Sequence, residues 1–185
     1  PDTTPPTVSI ASPTNGAIVS GPVSVSASAT DNVGVTNVEL YKDGTLFATL
    51  TNSPYTFSWD TTRDVDGSHT LVAKAYDAAN NVGTSNTIAV SLDNTSPEVT
   101  ITSPLSGAKV KGSLTVSVSA SDASGIQRVE FYIDGKLKAT DYKAPYTYQW
   151  NTKTVKAGTH TILVAAYDNA GNMKQVSIIV VSSGK

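Results

Sequence analysis

The sequence predicts an all-β chain made of two β-sandwiches of about seven strands each, one after the other. Three observations support this prediction. The chain matches itself without a gap when it is shifted by 91 residues. Apolar residues alternate with polar ones over short segments, and turns rich in Asp, Gly and Pro separate these segments. A period of this length holds a whole domain rather than one turn of a solenoid.

Composition limits the classes of protein to which the chain can belong. Its 185 residues suit two small domains, and an apolar content of 39% is enough for two cores. A net charge of −2 offers no overall basic surface for nucleic acid, and no apolar run is long enough to insert into a membrane. Cysteine is absent from the sequence, which excludes disulfides. Because the chain starts inside what reads as a linker, we expect it to be a piece of a longer polypeptide.

The two repeats align from Asp2 on Asp93 to Asn81 on Asn172, and roughly half of the positions are identical. The tryptophans fall on each other, and so do the only two histidines, His69 and His160. The segment between the repeats, "DNTSP", contains turn-forming residues and a Pro. We therefore predict a first domain over 1–92, a linker over 93–97 and a second domain over 98–185.

Each strand of the first repeat has a signal that recurs in the second. "VSVSASA" alternates strictly, and "YTFSW" places its aromatic residues on one face. Asp-Gly separates the apolar runs of "VELYKDGTLFA", which is a strong hairpin signal because both residues tolerate positive φ. "HTLVAKAYD" reads as a central strand that ends in a tight turn. We predict that the cores are anchored by Trp59/Trp150, Phe57/Tyr148 and Leu71/Ile162.

The stretch "PPTVSIASPTNGAIVSGPVSVSASATDNVGVTNVELYKDG", with the later "PYTFSWDTT" and "GSHTLVAKAYDAANN", resembles a bacterial immunoglobulin-like (Big) domain, and the resemblance covers nearly the whole chain twice. It implies seven-stranded immunoglobulin-like, or fibronectin III-like, sandwiches in an extracellular or bacterial cell-surface setting. It also implies a role as a spacer that holds a catalytic or adhesive domain of the same polypeptide at a distance. The alternatives are an accessory carbohydrate-binding module of a secreted polysaccharide-degrading enzyme and a calcium-stiffened rod segment of an adhesin. Fold alone does not choose between these roles.

Catalytic chemistry is not expected from this sequence. A hydrolase needs a nucleophile beside a base, or paired carboxylates in a cleft. The two histidines occupy equivalent positions at the start of one strand, next to Gly and Thr, where a structural role is the simpler interpretation. We therefore predict that the chain is not an enzyme by itself.

Acidic residues gather at the ends of the predicted sandwiches. The topology brings Asp93, Asp122 and Asp168 to one pole of the second domain and Asp64 and Asp66 to the opposite pole of the first, so we expect these poles to face each other across the linker. Such carboxylates are candidate Ca²⁺ ligands, and Ca²⁺ is the only cofactor we consider. Ordinary turn chemistry explains the same positions, because Asp31, Asp77 and their counterparts recur at strand ends.

Two tyrosines are candidates for ligand binding. Tyr41 and Tyr132 have the opposite parity to the predicted core residues of their strands, so they are expected to face outward. Exposed aromatic rings can stack on sugars, which makes a polysaccharide or a cell-surface glycan a candidate partner. An outward tyrosine also occurs through β-propensity alone.

Overall fold

A computed structural model describes residues 2–184. It divides the chain into two compact units, and the boundary between Asn94 and Thr95 lies inside the predicted linker. The all-β prediction is confirmed, because the only helical segments in this range are two single 3-10 turns, Thr61–Arg63 and Thr152–Thr154. No helix in residues 2–184 is long and apolar enough to cross a membrane.

The first unit is a sandwich of a three-stranded and a six-stranded sheet. The smaller sheet has the order β1-β3-β6, and the larger has the order β2-β9-β7-β4-β5 with β8 paired to β7. Except for the parallel pair of β2 and β9, neighbouring strands run antiparallel. The strands are β1 Thr7–Ser12, β2 Ile18–Val19, β3 Pro22–Thr30, β4 Val35–Lys42, β5 Thr45–Leu50, β6 Tyr55–Asp60, β7 Gly67–Asp77, β8 Val82–Thr84 and β9 Ile88–Leu92.

The second unit repeats this architecture with sheets of three and five strands. Their orders are β10-β12-β15 and β11-β17-β16-β13-β14, and β11 again pairs in parallel with the last strand. The strands are β10 Glu98–Ser103, β11 Lys109–Val110, β12 Ser113–Ser121, β13 Ile126–Ile133, β14 Lys136–Asp141, β15 Tyr146–Asn151, β16 Gly158–Asp168 and β17 Met173–Ser182.

Local sequence explains the strands and turns. Asp43 and Gly44 have φ of 50° and 76°, and Asp134 and Gly135 have 50° and 74°, so each Asp-Gly pair forms the tight hairpin turn that the sequence predicts. The alternation of "YTFSW" is seen directly in the burial of β6, in which every second residue is buried. Hydrophobic side chains of the two sheets then meet in one core per sandwich.

The predicted core anchors are confirmed with one exception. Trp59, Phe57 and Leu71 are buried in the first sandwich, and Trp150 and Ile162 in the second. Tyr148 is only half-buried and packs on Phe131, with ring centroids 5.9 Å apart. A tyrosine keeps its hydroxyl near water more readily than a phenylalanine does, which accounts for the difference from Phe57.

The strand count exceeds the prediction of seven per repeat, with nine strands in the first and eight in the second. The two-residue strands β2 and β11 are too short to produce a periodic signal. In the first repeat the last predicted strand is interrupted at Ser85, whose N–H donates to Ala73 O (2.9 Å) and whose Oγ accepts from Ala73 N–H (3.0 Å). This side-chain bond separates β8 from β9.

Candidate functional site

Three carboxylates meet at the N-terminal pole of the first sandwich, the end that holds the β3–β4 loop and the β7–β8 turn. Asp31 follows β3, Asp77 ends β7, and Asp2 lies in the segment before β1. One carboxylate oxygen of each residue lies within 4.8 Å of the others. We call Asp2, Asp31 and Asp77 the first-repeat trio.

Asp77 holds the turn that follows its strand. Its side chain is buried, its Oδ1 accepts from the N–H groups of Ala79 and Asn81 (both 2.8 Å), and its Oδ2 accepts from Asn81 Nδ2 (2.6 Å). Asn81 Nδ2 also donates to Asp2 O (3.2 Å), which fastens the N-terminal segment to this turn. These bonds are the turn chemistry expected of an Asp at a strand end, and they need no metal.

The other two carboxylates each keep one oxygen without a hydrogen-bond partner. Asp31 Oδ2 accepts from the N–H groups of Val33 and Gly34 (2.9 and 3.0 Å), whereas its Oδ1 is buried and unpartnered. Asp2 Oδ1 accepts from Thr4 N–H (3.0 Å), whereas its Oδ2 is also buried and unpartnered. The N–H groups of Gly34 and Val33 lower the pKa of Asp31. Turn chemistry does not account for two such oxygens beside a third carboxylate, because like charges at this distance repel.

The second repeat keeps the corresponding turn residues. A carboxylate oxygen of Asp122 lies within 4.8 Å of one of Asp168. Asp168 is buried and accepts from the backbone and side-chain amides of Asn172 (2.8 and 2.9 Å), as Asp77 does from Asn81. Asp93, which the period aligns with Asp2, is buried at the end of the first unit and donates its N–H to Val19 O (3.0 Å). Its role as a metal ligand stays a prediction.

Asp64 and Asp66 have other partners. Asp64 Oδ1 lies 2.5 Å from Lys42 Nζ, and its Oδ2 accepts from Trp59 Nε1 (2.6 Å). Hydrogen bonds from Lys42 and Trp59 lower the pKa of Asp64. Asp66 Oδ1 accepts from Asn94 N–H (2.8 Å). The structure does not bring these two residues into a group of three carboxylates within residues 2–184, and their role as Ca²⁺ ligands stays a prediction.

Tyr41 lies on the outer face of its sheet, half-buried. Its hydroxyl and that of Tyr76 both donate to Glu39 Oε2 (2.8 Å each). Lys74 Nζ lies 4.5 Å from the centroid of the Tyr41 ring, so a cation covers one face of this ring. A sugar could therefore stack only on the opposite face of Tyr41.

Tyr132 has a more open setting. Its hydroxyl donates to Glu130 Oε2 (2.6 Å), and this bond raises the pKa of Tyr132 to about 12. Arg128 also binds Glu130 and stacks on Tyr167, 3.6 Å from its ring centroid. Tyr132 lies beside a shallow depression of about 470 Å³. The depression is lined by Tyr132, Asp134, Gly135, Thr161, Leu163 and Gln175.

The histidines perform the same structural task in both repeats. His69 Nδ1 lies 2.7 Å from Asp43 Oδ2, and its Nε2 lies 2.9 Å from Val65 O. His160 has matching contacts with Asp134 (2.6 Å) and the carbonyl of Lys156 (2.9 Å). Both neighbours of each ring only accept, so each ring is satisfied as an imidazolium that donates twice. The hydrogen bonds to Asp43 and Asp134 raise the pKa of His69 and His160.

These contacts predict that stability falls as the pH rises above neutrality. A folded-state pKa above the ordinary histidine pKa of 6.5 contributes stabilisation that is fully present below pH 6.5 and is lost as the pH rises through the folded-state pKa. Urea unfolding at several values between pH 5.5 and 9 should show a declining free energy of unfolding. Replacing His69 and His160 by Gln should flatten the profile. A constant free energy over this range in the unsubstituted chain would contradict the assignment.

The first-repeat trio is the site that sequence reasoning missed. In the sequence, Asp31 and Asp77 suit strand-end turns, and Asp2 is not among the candidate Ca²⁺ ligands named above. The signal that could have identified the trio was the 91-residue period, which maps Asp93, Asp122 and Asp168 onto Asp2, Asp31 and Asp77.

Comparisons with known proteins agree with this architecture. A model of the bacterial Ig domain family matches residues 6–73 and again residues 97–164. The chain is similar to the fibronectin(III)-like modules of Clostridium thermocellum CbhA, with 29% identity, coverage of 96% of this chain and 94% of that one, and a TM-score of 0.66. The FN1–FN3 domains of chicken CNTN1 share the fold at 14% identity, over 95% of this chain and 66% of theirs, with a TM-score of 0.55. No curated protein matches the chain in sequence. With more than half of its residues matched by the family model, the chain belongs to the bacterial Ig domain family and carries two of its domains in tandem.

Proposed function

We propose that the chain is a non-catalytic spacer that presents a catalytic or adhesive domain of a longer bacterial polypeptide, outside the cell or at its surface. Family membership and the similarity to the CbhA modules support this proposal. The observation that carries this proposal is that equivalent titratable side chains of the two repeats form structural hydrogen bonds. In both repeats, His69 and Asp77 and their counterparts are engaged in bonds that hold loops in place. Such a module connects other domains stably and does not catalyse a reaction.

Domain exchange in the full polypeptide tests the spacer role. Two unrelated β-sandwiches of equal length in place of this chain should preserve surface display and the activity of the presented domain, whereas deletion of the chain should reduce them. A loss of function after exchange, with normal expression, would overturn the spacer role because it would require a specific surface of this chain.

The first-repeat trio adds a metal site to this proposal. Ca²⁺ binds six to eight oxygens, from carboxylates, backbone carbonyls and water. Asp2 and Asp31 each offer a buried oxygen without a hydrogen-bond partner, next to the carboxylate of Asp77. A cation there would bridge the N-terminal segment, the β3–β4 loop and the β7–β8 turn. By the 91-residue period, Asp93, Asp122 and Asp168 are the proposed ligands of a second site.

Thermal unfolding with and without Ca²⁺ tests this site. A ligand that binds only the folded state stabilises it by about 2.7 kcal/mol at 100 times its Kd. For a domain of this size we expect an increase in Tm of roughly 10–20 °C. Asp31→Asn should abolish the increase in the first unit, since Asn retains the acceptor for the N–H groups of Val33 and Gly34 but loses the charge.

Asp60→Asn is the matched control for this experiment. Asp60 is an exposed carboxylate outside the trio, and the second repeat has Asn151 at the equivalent position. This variant should respond to Ca²⁺ as the unsubstituted chain does. Identical melting curves with chelator and with millimolar Ca²⁺ would contradict the metal site.

The depression beside Tyr132 favours a second candidate function, an accessory module that binds a neutral glycan. It combines an aromatic ring and Leu163 with polar groups of Thr161 and Gln175, the combination that sugar stacking and hydroxyl recognition require. Retention on gels that contain cellulose, mannan or mixed-linkage glucan should be lost in Tyr132→Ala and kept in Tyr41→Ala. Equal migration of all three proteins on every gel would rule out this function.

A further inference from the structure

The C-terminal poles of the two sandwiches have the same backbone structure but side chains of opposite charge. This pole holds the Asp-Gly hairpin, the 3-10 turn and the end of the last strand. In the first repeat the 3-10 region carries Asp60, Arg63, Asp64 and Asp66. The second repeat replaces these charged residues by uncharged ones, namely Asn151, Thr154, Val155 and Ala157. It also has four lysines at positions where the first repeat has uncharged residues. These are Lys109, Lys111, Lys153 and Lys156, in place of Ile18, Ser20, Thr62 and Val65. We call these four lysines the lysine pole.

Backbone contacts bring the lysine pole together on one end of the second sandwich. Lys109 and Lys111 flank the buried Val110 of β11, which pairs with Ser182 of β17. Gly112 O accepts from the N–H and Oγ1 of Thr152 (2.8 and 2.9 Å), so the backbone segments that carry Lys111 and Lys153 lie side by side. The His160 ring donates to the carbonyl of Lys156 and fixes the backbone there.

The surface of the lysine pole is open and combines the lysine side chains with small apolar ones such as Val155 and Val181. All four lysines are exposed, and none forms an ion pair within residues 2–184. Asp134, the carboxylate of the Asp-Gly hairpin at this pole, is paired with His160. Two shallow depressions of about 230 and 340 Å³ lie between the lysines, one lined by Lys109 and Lys111 and the other by Lys153 and Lys156. The sequence has 13 Lys and Arg and a net charge of −2, so this local excess does not follow from a basic composition.

We propose that the lysine pole binds an anionic polysaccharide. Unpaired ammonium groups attract the carboxylates or sulfates of such a polymer, and several on one surface act together. Two exposed side chains that line the depressions, Thr154 and Ser183, offer hydroxyl groups for hydrogen bonds to a sugar. No aromatic side chain lines either depression, and stacking on aromatic residues is what single-stranded nucleic acid requires.

Binding of sodium polygalacturonate to the whole chain, measured by affinity electrophoresis and calorimetry at several salt concentrations, tests the proposal. The pole variant combines Lys109→Ile, Lys111→Ser, Lys153→Thr and Lys156→Val, which are the residues that the first repeat has on the same backbone. The matched control removes four positive charges outside this pole, with Arg63, Lys74, Lys143 and Lys174 each replaced by Gln. Circular dichroism of both variants establishes that they are folded.

We expect the pole variant to bind at least about tenfold more weakly and with a smaller salt dependence, and the control to change less than about threefold. Three results would overturn the proposal. The unsubstituted chain could fail to bind, or the control could lose as much affinity as the pole variant. Single-stranded DNA could also bind as tightly as the polysaccharide, which would mean that the surface attracts polyanions in general. A pole variant with Lys→Gln at all four positions must give the same loss, which excludes an effect of the new apolar side chains.

Discussion

Trp59→Ala is expected to lower the free energy of unfolding of the first sandwich by about 3–5 kcal/mol. The Trp59 side chain is 2% exposed, its Nε1 donates to Asp64, and its ring meets the edge of His69 at 5.8 Å between centroids. The substitution leaves a cavity in the core and removes one of the two partners of a partly buried carboxylate. The loss is a large part of the total stability of a domain, which is typically 5–15 kcal/mol.

The two tryptophans allow this effect to be assigned to one unit. After Trp59→Ala, Trp150 is the only tryptophan of the chain, so its fluorescence follows the unfolding of the second sandwich alone. In urea, circular dichroism should show an early transition, while the fluorescence midpoint of Trp150 stays unchanged. Trp150→Ala should produce the converse result. An equal shift of both signals would contradict independent folding of the two units.

Lys42→Ile and Asp64→Val should each destabilise the first sandwich, whereas the double variant should be close to the unsubstituted chain. Lys42 and Asp64 form an ion pair in which only 20% and 22% of the side chains are exposed. Either single change leaves a partly buried charge without its partner, at a cost of about 1–3 kcal/mol. We expect the double variant to lie within about 1 kcal/mol of the original, because a well-packed apolar pair can replace such an ion pair.

The second repeat supplies the rationale for this double variant. It has Ile133 and Val155 at the positions equivalent to Lys42 and Asp64, and both side chains contribute to its core. Urea unfolding of the four proteins gives a double-mutant cycle whose coupling energy should be at least about 1 kcal/mol. Additive losses in the double variant would mean that the charges do not stabilise each other in the fold.

Local patterns predicted most of this fold, because alternation and turn chemistry act over a few residues. The burial of Trp59 and Trp150 and the Asp-Gly hairpins follow from such patterns. Features that depend on contacts between residues far apart in the chain could not be predicted from these local patterns. The hydrogen bond between Ala73 and Ser85 depends on how two strands are aligned. The ion pair joins Lys42, at the end of β4, to Asp64, after the first 3-10 turn.

The candidate sites were predicted less completely for the same reason. An Asp at a strand end suits a turn whether or not another carboxylate lies beside it, so Asp31 and Asp77 gave no individual signal. Tertiary structure brings them close to Asp2 and leaves two oxygens without partners. The outward parity of Tyr41 and Tyr132 was visible in sequence, but the cation that covers Tyr41 was not.

Calorimetric titration of the chelator-treated chain with Ca²⁺ is the most direct test of the carboxylate sites. We expect two sites per chain, one for each repeat. Asp31→Asn should leave one site, Asp122→Asn should leave the other, and the two changes together should abolish binding. Absence of binding to the unsubstituted chain, or two sites that persist in both single variants, would contradict the assignment of Ca²⁺ to these carboxylates.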